Sequence, residues 1–154
     1  MQNQDSLPDT QAHIERVQTL IQSAINNLAK RATVHDLSKL IEPEKSAFDR
    51  LKALSLSGMT YGSEQYRECL RKEQPAIQHH YAYNSHHPEY YPNGIDGMSL
   101  FDLLEMLLDW KAATERMKDG GDIKRSLEIN TDRFKISPQL NAILANTIRE
   151  MEWR

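Results

Sequence analysis

Apolar positions recur every three to four residues along most of the chain, the pattern of amphipathic helices. Ile14, Val17, Ile21, Ala24, Ile25 and Leu28 share one face of a first helix, capped by Asp9 or Thr10 after a polar arm over 1–8. Thr33 predicts the cap of a short second helix over 34–40. Glu42-Pro43 opens a third that runs to about Leu54, with Ala47, Phe48 and Leu51 facing inward. A loop over 55–62 precedes helices over 63–73 and from Pro75 to Tyr83. Two prolines and two glycines make 84–97 an irregular loop. Ser99 then starts the most apolar helix, with Asp102 as its capping-box partner. Leu100, Phe101, Leu103, Leu104, Met106, Leu107, Leu108 and Trp110 make that helix apolar nearly all round, so it is expected at the centre. Asp119-Gly120-Gly121 ends it, a short helix over 122–130 follows, and Ser137-Pro138 opens the last, with Leu140, Ile143, Leu144 and Ile148 inward. No stretch alternates like a strand. The expected fold class is all-α, a compact helical bundle.

At 154 residues the simplest organisation is one domain: a core over about 10–117 followed by C-terminal helices over 122–151. Hydrophobic residues make up 39% and charged residues 27%, and the net charge is −3, which argues against general nucleic-acid binding. No apolar run reaches the roughly 18 residues of a membrane span, and residues 1–9 are polar rather than signal-like, so a soluble cytoplasmic protein with no membrane partner is expected. Cys69 is the only cysteine, which leaves no disulfide framework and no thiolate zinc site. A metal would have to be held by imidazole and carboxylate, which suits Fe, Mn, Co, Ni, Zn or Mg.

Candidate chemistry concentrates in the histidines. All six fall between residues 13 and 87, among them His79, His80, His86 and His87. His35-Asp36 lies upstream in Val34-His35-Asp36-Leu37-Ser38-Lys39, and Asp109 interrupts the apolar helix between Leu108 and Trp110. A carboxylate there is costly to bury unless it is paired or bound to a cation. Asp102 has a cap to satisfy it and Glu105 can pair with Lys or Arg. Asp109 has neither at good spacing, so metal ligation explains it best.

The order His13 … His35-Asp36 … Asp109 resembles the HD superfamily of metal-dependent phosphohydrolases. His35-Asp36-Leu37-Ser38-Lys39 is similar to that family's HDxGK element, with Ser38 in place of glycine. His80, His86 and His87, followed by Glu89 and Gly94, resemble the extra histidines of two-metal branches, although the GYP sequence is absent and the histidine spacing is shorter. More narrowly, HDLSK, the Asn84–Glu89 loop and the Leu-Leu-Asp-Trp helix are similar to small phage-type HD-like proteins. The resemblance implies one divalent metal on His13, His35, Asp36 and Asp109, and a second bridged by Asp36 and completed by His80 with His86 or His87. It implies hydrolysis of a phosphorylated small molecule, with a nucleotide the expected substrate. The ion would polarise a phosphoryl oxygen and bring the pKa of water towards roughly 7. Lys39, one helical turn past His35, and Arg16, one turn past His13, would face the phosphate charge. Tyr81, Tyr83, Tyr90 and Tyr91 could stack a base or anchor the loop. Two other classes stay open: an HD-type di-iron oxygenase, and a non-catalytic protein that binds metal or nucleotide. Oligomeric state, a homodimer included, is open as well.

Overall fold

The computed structural model describes residues 5–56, 64–116 and 121–154. Seven α-helices and three 3-10 turns account for its regular structure, and there is no strand among the described residues. The fold is all-α, as the hydrophobic periodicity predicts. The chain divides into two compact units, 1–35 and 36–154.

The first unit is one helix, α1 (Leu7–Val34), with Pro8 in its first turn, where a missing N–H costs nothing. Neither predicted cap acts as one, because the helix begins earlier and Thr10 Oγ1 instead donates to Ser6 O at 2.9 Å. The predicted break at Thr33 is absent too. Its hydroxyl donates back to Lys30 O at 2.7 Å, a bond available inside a helix, and α1 continues through it. The helix stops at His35, whose backbone turns to φ −51°, ψ 124° while its N–H still reaches Arg31 O. None of the α1 residues is buried.

The second unit begins with Asp36 in the left-handed region, φ 56° and ψ 14°. That conformation costs a non-glycine residue about 1–2 kcal/mol, although aspartate tolerates it better than most. A 3-10 turn over Leu37–Leu40 follows, then α2 (Glu44–Leu56), α3 (Glu64–Lys72) and α4 (Gln74–Tyr83). The irregular loop contains 3-10 turns at Pro88–Tyr90 and Gly94–Gly97. After it come α5 (Leu100–Glu115), α6 (Ile123–Phe134) and α7 (Pro138–Glu150). The loop expected over 55–62 and the Asp119-Gly120 stop fall largely outside the described residues.

The core joins the last three helices. Leu107 of α5 packs with Ile123 and Leu127 of α6, Ile136 of the connection, and Leu144 and Ile148 of α7. Each such side chain contributes about 1.5–3 kcal/mol when fully buried. Trp110 stacks on Phe134 at its edge, with ring centroids 6.3 Å apart. The central place expected for α5 holds on one side only. Met106 and Leu107 are buried, whereas Leu100 is 81% exposed and Leu108 is also open to solvent.

The loop before α5 is anchored to that helix. Ser99 accepts from Asp102 N–H and the Asp102 carboxylate accepts from Ser99 N–H, so the predicted capping box is present. The same carboxylate accepts from Ser85 Oγ and from Tyr91 OH, each at 2.8 Å. Desolvation alone would raise the pKa of this buried group, yet its bonds from Ser99, Ser85 and Tyr91 hold it well below the usual carboxylate range. Gly97 is needed for the close approach, since a Cβ there would come within 2.7 Å of Tyr91 Cβ. Arg133 of α6 reaches Glu89 at 2.7 Å and fastens the far side of the loop.

Candidate metal centre

Within the second unit, four side chains converge. Asp36 stands at the head of the first 3-10 turn, His80 on the last turn of α4, and His86 and His87 on the anchored loop. Each offers one donor atom, and all four donors lie within 4.8 Å of one another. His80 Nε2 is 2.9 Å from His87 Nε2 and 3.4 Å from Asp36 Oδ1. His86 Nε2 lies 3.5 Å from the same oxygen. Two donors held about 2.1 Å from one ion at tetrahedral or octahedral angles are about 3.0–3.4 Å apart. The observed separations are close to that range. The fit rests on donor type and spacing.

What orients the imidazoles is as informative as the donors. Glu44, at the first position of α2, is fully buried. One of its oxygens accepts from His79 Nδ1 at 2.7 Å. The other accepts from His80 Nδ1 and from Ser38 Oγ, each at 2.8 Å. An ionised carboxylate only accepts, so His80 carries its proton on Nδ1 and presents a lone pair at Nε2. Burial alone would push the Glu44 carboxyl up, but these three donors bring its pKa below the ordinary value. His86 repeats the arrangement: its Nδ1 lies 3.3 Å from Glu105 Oε1 and its Nε2 faces Asp36. Carboxylate–histidine pairs of this kind fix the tautomer and raise the basicity of metal-binding imidazoles. Lys39 Nζ, 2.5 Å from Asp36 Oδ2, holds that carboxylate so that Oδ1 faces the histidines.

The protonation states also suit a cation. Burial lowers the pKa of His80, helped by the nearby charge of Lys39 and opposed by Asp36 and Glu44. His87 is pushed down to about 3 by burial and by its neighbours His86 and His80, with Asp109 pulling the other way. Both rings therefore favour the neutral form at pH 7, the form in which an imidazole binds a metal.

Asp36, His80, His86 and His87 come together, Lys39 is bound to Asp36, and the charge of Asp109 on half-buried α5 reaches His87. His13 and Arg16 are exposed on α1, and His35 is the C-cap of that helix, all three in the first unit. Glu105 lies against His86, its Oε1 3.3 Å from Nδ1 of the ring. Two tyrosines are anchors: Tyr91 donates to Asp102, and Tyr81 accepts from Arg133 at 3.3 Å. Tyr83 is exposed and lies against His79. The residue that sequence reasoning missed is Glu44. Its only local signal was an acid at a helix start, which a dipole argument explains without any site.

No helix among the described residues is long and apolar enough to cross a membrane. Neither a curated protein nor a solved structure matches the chain. A family model does match, over residues 2–150, so the chain belongs to DUF5662, a family of unknown function.

Proposed function

We propose that the protein is a metal-dependent phosphohydrolase that cleaves a phosphate ester of a nucleotide, as the resemblance of its His-Asp element to the HD superfamily implies. One observation supports this most: three imidazoles and a carboxylate converge with their donor atoms within 4.8 Å of one another, and two of the imidazoles are backed by carboxylates. Asp36, His80, His86 and His87 would hold the ion. The resemblance would add His13, His35 and Asp109 to the ligand set. Three nitrogen donors to one oxygen favour Zn, Fe, Co, Ni or Mn over Mg, which prefers an all-oxygen shell. A divalent ion in such a site supplies Lewis acidity to a phosphoryl oxygen and makes water more acidic.

The chain's own groups do the rest. Lys39 sets positive charge beside the donors and would attract an anionic substrate, while its bond to Asp36 keeps that charge in place. The anchored loop holds His86 and His87 without cost at the moment of binding, because Asp102 and Gly97 have already ordered it.

The test is metal analysis of the purified full chain. It is followed by phosphate release from nucleotides and cyclic nucleotides with Mn, Co, Ni or Mg added. Metal-dependent release that is lost in His80→Ala and Asp36→Asn supports the proposal. Tight metal binding with no release from any substrate would indicate a metal-binding protein without this activity. Iron-dependent oxygen uptake would indicate an oxygenase instead.

A further inference from the structure

Building on the metal centre above, we propose that Arg133 of α6 is a positioning residue: it clamps Tyr81 and Glu89 together and so sets His87 against His80. Tyr81 directly follows His80 on α4, and Glu89 lies two residues past His87 on the loop. Nη2 of the guanidinium carries two hydrogens. It donates to Tyr81 OH at 3.3 Å and to Glu89 Oε1 at 2.7 Å. The side chain thus grips near neighbours of two imidazoles whose Nε2 atoms are 2.9 Å apart.

Two short paths carry the grip to His87. Along the chain, Pro88 joins Glu89 to His87. The proline ring fixes its own φ and keeps the residue before it extended, and His87 lies at φ −98°, ψ 130°. Tyr90 N–H closes the turn on His87 O at 3.0 Å. Through space, the Tyr81 ring packs on the His87 ring, with centroids 4.9 Å apart and planes tilted by 52°. A shift of Tyr81 or Glu89 therefore moves His87 with it.

Arg133 is itself held. Its guanidinium lies over the Phe134 ring, 4.6 Å from the centroid, and Phe134 stacks on Trp110 at the edge of the core. Stability alone is a weak reason for the clasp, since the Arg133 side chain is 52% exposed and an ion pair so placed adds little to folding. Geometry is a stronger one, because a site must hold its ligand atoms to within about 0.5 Å of where the ion needs them. Glu44 and Glu105 orient His80 and His86. The Arg133 clasp does the same for His87.

Cobalt titration of the full chain, read by visible absorption and by competition with a chelator, tests this. Arg133→Gln removes the charged fork and should bind cobalt about tenfold more weakly, with an altered absorption band at saturation. Arg133→Lys keeps the charge and should recover part of the loss. Tyr81→Phe keeps the ring against His87 but removes the acceptor, and should weaken binding about threefold. The double variant Arg133→Gln with Tyr81→Phe should bind like Arg133→Gln alone, because the Tyr81 bond is already gone. Far-ultraviolet spectra check that each variant is folded, and Tyr81→Phe carries the test if Arg133→Gln is not. Wild-type affinity and absorption in Arg133→Gln and Tyr81→Phe would overturn the positioning role and leave the metal centre standing. Losses that multiply in the double variant would overturn the link through Tyr81. A wild-type chain that takes up no cobalt would overturn the metal centre, and the role of Arg133 with it.

Discussion

Glu44→Gln separates a carboxylate that positions a metal ligand from one that merely fills a buried site. The substitution keeps the volume of a fully buried side chain and changes its hydrogen-bonding character. Glu44 accepts three bonds, from His79 Nδ1, His80 Nδ1 and Ser38 Oγ. A glutamine has one accepting oxygen, and its amide nitrogen turns a donor toward groups that are themselves donors. At least one bond is lost, and those that remain no longer go to a charged acceptor. Bonds to a charged group contribute about 1.5–3 kcal/mol each, so the metal-free protein should lose about 2–4 kcal/mol. Metal binding should suffer as well, because His80 is no longer held with its proton on Nδ1. Losing such a partner weakens metal affinity about 10–100-fold. The assay pairs denaturant unfolding in chelator with competitive titration of zinc or cobalt. Ser38→Ala is the comparison: it removes the bonds of Ser38 Oγ with Glu44 and Asn84 and its 3.3 Å contact with His80 Nδ1 but leaves the Glu44–His80 bond in place, so stability should fall while affinity changes by less than about threefold. If Glu44→Gln destabilises the protein but leaves metal affinity at the wild-type value, the positioning argument is wrong.

Three further outcomes follow from the same geometry. The metal-free protein should lose stability as pH falls below about 6.5, because His80 and His87 bind protons more readily unfolded than folded, with a slope of up to about 1.4 kcal/mol per pH unit for each. The window between about 6.5 and 4.5 belongs to the histidines, since the lowered carboxyls of Glu44 and Asp102 add their loss only below it; melting temperature against pH in chelator reads this, and a flat profile there would contradict the neutral buried rings. Asp102→Asn should cost about 2–4 kcal/mol in denaturant unfolding and also weaken metal binding, because Ser85, Tyr91 and Ser99 lose the group that orders the loop carrying His86 and His87. Asp109→Asn should weaken metal binding measured by competition, since it removes the negative charge that raises the basicity of His87; unchanged affinity would separate Asp109 from the site.

The local devices of this fold were readable from the sequence, and the long-range pairings were not. The Ser99–Asp102 box, the Ser137 cap and the proline-opened helices depend on residues three or four apart, and the structure contains them. The boundary at residues 33–36 was misread because Thr33 can cap a helix or bond back within one, and only the chain beyond decides which. The left-handed turn at Asp36 has no glycine to announce it. Glu44 meets His80 across 36 positions, so no window of sequence contains the pair. Leu100 looked like core because it sits in an apolar run, yet it is the first residue of α5 and stays exposed. The histidine cluster itself was visible. Its backing carboxylates, Glu44 and Glu105, were not, because each had a sufficient ordinary explanation where it stood.

In the metal-loaded protein Asp36, His80, His86 and His87 should together hold one ion. X-ray absorption fine structure of the zinc- or cobalt-loaded full chain tests it most directly, because imidazole rings give a distinctive outer-shell signal. One ion per chain is expected, with about three imidazole nitrogens at about 2.0–2.1 Å and at least one carboxylate oxygen. A shell of oxygens with one imidazole or none, or an unchanged signal in the His80→Ala and His87→Ala variants, would contradict it.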